Sequence, residues 1–94
     1  MKCETGPVTK MFGGTEWIVY SCDDQASMVV LSAPGNPASP FYFFLKPEAE
    51  GFRLTGEGNG DMKVSDAARD DLSKLTPNDF AALLAATKAV APRQ

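Results

Sequence analysis

The 94 residues include no histidine, so any chemistry must come from carboxylates, two cysteines and glycine-rich turns. Without imidazole the commonest acid–base group and metal ligand is missing. Ser-His-Asp and Cys-His nucleophile systems are excluded in their usual forms. Cys3 and Cys22 alone do not complete a zinc tetrahedron. Asp23-Asp24, beside Cys22, is a pair of adjacent acids that could hold a cation or exchange a proton. Aspartate is also a turn former, and a solvated turn is the plainer reading. Glu57-Gly58-Asn59-Gly60-Asp61 has the acid–x–Asn–x–acid spacing that opens a calcium loop. Such a loop needs glycine at its sixth position and glutamate at its twelfth, where this chain has Met62 and Ala68. The glycines at 13, 14, 56, 58 and 60 match neither a P-loop nor a dinucleotide fingerprint. These residues imply no catalytic group, no metal and no cofactor, and the chain is read as a non-enzyme.

Charge narrows the partners. The formal net charge is −3, and no two of the nine Lys and Arg are adjacent. Nucleic-acid binders carry a basic stripe, and anionic membrane surfaces need a basic cluster. Trp17, Phe41 and Phe43 could stack bases, but the acidic balance opposes that use. No apolar stretch is long enough to span a bilayer, so membrane insertion is not expected.

The element pattern has two halves. Residues 8–12, 15–22, 27–33, 41–46 and 52–57 read as strands rich in β-branched and aromatic residues. Gly13-Gly14 marks a tight hairpin, Asp23 to Ala26 a polar turn, and Pro34, Pro37 and Pro40 a loop that stops the sheet. Pro47 to Gly51 is the last turn. After Val64 the spacing becomes helical. Ser65 is the expected cap of a first helix, with Ala68, Leu72 and Leu75 on one face. Thr76-Pro77-Asn78-Asp79 starts a second, which Pro92 should stop. The predicted fold is α+β: an antiparallel five-strand meander sheet followed by two C-terminal helices packed on one face. It forms a single domain over residues 1–94, with the meander at 8–57 and the helical pair at 65–90.

Register arithmetic assigns side chains to faces. Pairing Phe12 with Thr15, Cys22 with Ser27, Ala33 with Pro40 and Lys46 with Phe52 gives two sets. Met11, Ile18, Tyr20, Val29, Leu31, Tyr42, Phe44, Phe52 and Leu54 form one, expected to be the core beneath the helices. Trp17, Val19, Met28, Val30, Phe41, Phe43 and Arg53 lie on the other, with Val8, Lys10, Phe12, Leu45 and Thr55. That second face is too apolar to stand bare, so it is expected to be an interface or ligand surface unless a helix covers it. A register slip of one residue would exchange the assignments.

The first hairpin also brings Cys3 to the diagonal of Cys22, within reach of a disulfide if the tail bends. A disulfide implies an exported, oxidising location such as the periplasm. No signal peptide precedes it, so the signal must be absent from the chain in hand; two free thiols in a cytoplasmic protein are the alternative.

Tyr20-Ser21-Cys22-Asp23-Asp24, with Trp17 upstream and a strand after it, resembles the start of the bacterial inhibitors of C-type lysozyme. The resemblance implies a small exported β-domain with a disulfide. The Gly- and Ser-containing inhibitory loop of that family has no clear counterpart here, and the two C-terminal helices depart from it. The functional expectation is therefore a non-enzymatic interaction domain, exported and forming a homodimer through the apolar face. The alternatives are an inhibitor or immunity-type protein that binds a partner enzyme, and a small-ligand domain with Arg53 anchoring an anionic group.

Overall fold

Five antiparallel strands follow one another in space as they do in sequence, and two helices close the chain. The computed structural model describes residues 2–49 and 51–90. The expected stop at Pro92 lies outside them. The strands are β1 (Thr5–Phe12), β2 (Thr15–Ser21), β3 (Met28–Ser32), β4 (Phe41–Glu48) and β5 (Gly51–Gly58). The helices are α1 (Met62–Ser73) and α2 (Pro77–Ala89). Short turns leave neighbouring strands no choice but to pair antiparallel, which makes the meander.

Three of the four expected registers are the observed ones. Phe12 faces Thr15, Cys22 N–H donates to Ser27 O, and Leu31 faces Tyr42. The fourth differs by one residue: Lys46 faces Arg53, not Phe52, and Leu45 faces Leu54. β4 runs on through Pro47 to Glu48, which pairs with Gly51, so the hairpin is tighter than a turn over 47–51 would make it. Proline is tolerated there because Pro47 sits opposite Phe52, at a position where its nitrogen is turned away from β5.

The helices pack on the face that carries Phe12, Trp17, Val19, Met28, Val30, Phe41, Phe43 and Leu45. Ala68, Leu72 and Leu83 close that core from above. Expectation and structure thus exchange faces. Trp17, Val19, Met28, Val30 and Phe43 are fully buried under the helices, with Phe41 nearly so, and none is available as an interface. Arg53 stands on the opposite face, because the one-residue change at β4–β5 inverts all of β5. The same change brings Phe52 and Leu54 to the helix side, where Phe52 meets Phe80 at 5.2 Å between ring centroids.

Local details explain why the helices dock where they do. Gly13 has φ +61°, and a Cβ there would lie 2.5 Å from the Ala68 nitrogen, so only glycine lets the first hairpin approach α1. Gly13 N–H also donates to Asp71 Oδ2 at 2.6 Å. α1 begins earlier than expected: Asp61 caps it by accepting from Lys63 N–H at 2.9 Å. Ser65 lies inside the first turns, buried, its hydroxyl donating to Met62 O. α2 has the expected capping box, with Thr76 and Asp79 each accepting from the other's backbone N–H at 3.1 Å.

Candidate functional site: the open face of the sheet

The face away from the helices carries two cross-strand rows. Ile18, Leu31 and Tyr42 form one; Tyr20, Val29, Phe44 and Thr55 form the next. None of these side chains belongs to the core cluster under the helices. Tyr42 is 40 % exposed, and Met11, at the margin on β1, is 60 % exposed. An antiparallel sheet with one wet face usually alternates apolar-in, polar-out. Here the wet face is polar only at its rim, at Thr9, Glu16, Lys46, Arg53, Thr55 and Glu57.

One end of this face is walled by the loop from Ala33 to Pro40. The loop is built around Asn36, whose side chain donates to Glu16 O at 2.6 Å and accepts from Ala38 N–H at 2.8 Å. Ser32 and Ser39 hydroxyls meet at 2.8 Å, and Phe41 N–H donates to Ser32 Oγ at 3.1 Å. These bonds and the three prolines, Pro34, Pro37 and Pro40, shape the loop into a wall. Between it and the sheet lies a groove of about 700 Å³, with Ile18, Tyr20, Leu31 and Tyr42 on its floor and Pro34 and Pro40 on its side. The Tyr42 hydroxyl donates to Glu57 Oε1 at 3.0 Å. That bond and the carboxylate's charge hold the phenol proton more tightly than in a free tyrosine, so its pKa is raised. Tyr42 is therefore neutral at physiological pH and donates to Glu57.

The other sequence candidates resolve into structural parts. Asp24 accepts from Ser27 Oγ at 2.6 Å, Ser27 N–H at 2.8 Å and Ala26 N–H at 3.0 Å, closing the β2–β3 turn. The Ser27 hydroxyl above all lowers its pKa. Glu57 and Asp61, the two acids of the calcium-like spacing, are engaged separately by Tyr42 and by the α1 cap. Gly56 and Gly58 serve packing: a Cβ on Gly56 would meet the Phe43 ring, and one on Gly58 the Pro40 carbonyl and Phe41. Among the described residues no group of three His, Cys, Asp or Glu comes together to hold a metal. No helix among them is long and apolar enough to cross a membrane. Arg53 pairs with Glu48 at 3.1 Å and does not line the groove, so it anchors nothing there. The Sγ atoms of Cys3 and Cys22 lie at disulfide distance, 1.99 Å apart.

The chain matches no protein-family model, no curated protein and no solved structure. The resemblance at Tyr20 to Asp24 falls on a strand end, a paired cysteine and a capped turn.

The expected registers assign this face to the core, and the structure leaves it outside. One signal in the sequence pointed the other way. Both tyrosines of the chain, Tyr20 and Tyr42, lie on it, and a tyrosine hydroxyl in a dry core needs a partner there.

Proposed function

We propose that this chain is an exported, non-enzymatic domain that binds another protein through the open face of its sheet. The observation that carries the reading is the pair of apolar rows, Ile18–Leu31–Tyr42 and Tyr20–Val29–Phe44, left outside the core. Contiguous apolar surface with a polar rim is the usual anatomy of a contact surface, with aromatic residues as anchors. The Cys3–Cys22 pair supports the exported location. A small ligand in the groove is a second reading, favoured by its volume, which falls within the roughly 300–1,000 Å³ of ligand pockets.

Site-specific photo-cross-linking in the producing cell tests the first reading. A cross-linking residue at Phe44 should give a defined adduct that disappears when Val29→Asp is added. The same residue at Lys63, on the exposed side of α1, should give none. Equal adducts from both positions, or none from Phe44, would overturn it.

A further inference from the structure

The two edges of the sheet are finished differently. At β1, Pro7 removes a backbone donor, the register is irregular between Thr5 and Val8, and α2 lies close by, with Thr87 Cβ 3.7 Å from where a Cβ on Gly6 would be. Each of these blunts an edge against pairing. β5 has no proline, no irregularity and no lysine. It carries one positive and one negative side chain on the open face, Arg53 and Glu57.

The bonding pattern of β5 follows from one contact. Asn59 N–H donates to Pro40 O at 3.0 Å, which makes that pair a hydrogen-bonded one. Alternation along an uninterrupted antiparallel ladder turns the backbone groups of Glu57, Thr55 and Arg53 inward to β4. Those of Phe52, Leu54, Gly56 and Gly58 then point out from the edge.

We infer that β5 pairs with β5 of a second copy, antiparallel about a two-fold axis at Thr55, joining the two five-stranded sheets into one. In this register Leu54 faces the partner's Gly56 and Phe52 the partner's Gly58, so outward-pointing groups meet outward-pointing groups. On the helix side each large side chain meets a glycine. On the open side Thr55 meets its own copy, and Arg53 lies directly across from the partner's Glu57, twice by symmetry. Sliding by two residues sets Arg53 against the partner's Thr55 or Asn59. Sliding by four sets like charges together. Sliding by one pairs outward groups with inward ones. A single register therefore satisfies backbone and charge at once. Arg53 is free to exchange, because its Glu48 pairing is between two exposed side chains. Glu57 engages Tyr42 through Oε1, which leaves Oε2 for the incoming guanidinium. The two open faces end up side by side, available to a different partner. The edge pairing does not depend on the open-face reading.

Sedimentation of the full chain from about 10 µM to about 1 mM tests this, in a range that detects weak dimers. The expected result is a monomer–dimer equilibrium. Arg53→Glu should weaken it at least ~10-fold, and Arg53→Glu with Glu57→Arg should restore it. Hydrogen exchange at Leu54 and Gly56 amides should slow as concentration rises, whereas Val29→Asp on the open face should leave dimerisation unchanged. A monomer at every concentration, an Arg53→Glu variant that associates as before, or a double variant that stays monomeric would overturn the inference.

Discussion

Both faces of one sheet carry large apolar residues, the helix side more of them, and they meet opposite fates. On the helix face Trp17, Phe41 and Phe43 pack ring against ring, with centroids 4.9–6.4 Å apart. Arg69 lies 5.4 Å above Phe43. On the open face the corresponding neighbours, Ile18, Tyr20, Tyr42 and Phe44, keep part of their surface in water. Hydrophobic content favours the covered face, which gains Phe52 and Leu54 in the observed β4–β5 register. Fit distinguishes the two further: the helix face has Gly13, Gly56 and Gly58 to admit helix backbone and aromatic rings, while the open face has tyrosine hydroxyls and charged margins.

Exchange of single residues between the faces should give the largest contrast. Trp17→Ala opens a cavity among Phe41, Phe43 and the helices and should cost ~3–5 kcal/mol, close to unfolding for a chain of this size. Tyr20→Ala, on the adjacent strand residues but the open face, should cost far less. Chemical denaturation of the two variants measures the difference; equal losses would erase the distinction between the faces.

Reduction of the Cys3–Cys22 bond comes next. It ties the start of the chain to the end of β2 across a loop worth ~3 kcal/mol in the chain-entropy model. The melting temperature should fall by several degrees on reduction, at about 4–8 °C per kcal/mol. Thiol titration of unfolded, unreduced protein should find no reactive cysteine; two reactive cysteines would remove the argument for export.

A smaller effect is expected at a buried polar link between α2 and the sheet. Ser21 and Thr87 are fully buried on the helix face and share a hydrogen bond of 2.8 Å. Ser21→Ala should cost about 1 kcal/mol, since Thr87 loses one buried partner and keeps its bond to Leu84 O. Thr55→Ala on the open face should be within about 0.5 kcal/mol of the parent.

The smallest effect is a pH dependence at the β2–β3 turn. The folded-state pKa of Asp24 is lowered, chiefly by the Ser27 hydroxyl. Its contribution is therefore present above the unfolded value and is lost as pH falls below about 4. Asp24→Asn should flatten that part of the stability–pH curve and leave the curve near pH 7 little changed. An unchanged acid limb would show that the turn contributes nothing through this carboxylate.

Most of the fold was legible because it rests on local rules. Gly13-Gly14, the Asp23–Ala26 turn and the triple-proline loop set three registers, and Thr76-Pro77 with Asp79 announced α2. The fourth register is the exception: a turn starting at Pro47 is the local expectation, yet a proline facing away from its neighbour stays in the strand. The start of α1 failed because Asp61, inside a glycine-rich turn, caps as well as Ser65 would have. The choice of covered face lay beyond alternation altogether. Parity sorts residues into two sets but does not say on which side the chain returns after β5. Only close approaches, such as Gly13 against Ala68, reveal that.

The central claim is that Phe43 and Phe44, neighbours in sequence, face a sealed core and the open side of the sheet respectively. Phe43→Asp and Phe44→Asp, compared by circular dichroism and thermal melting, test it most directly. Phe43→Asp should abolish the folded state, because it places a carboxylate in the fully buried site beneath Arg69 and α1. Phe44→Asp should remain folded, with a melting temperature within several degrees of the parent. A folded Phe43→Asp variant beside an unfolded Phe44→Asp variant would contradict the account.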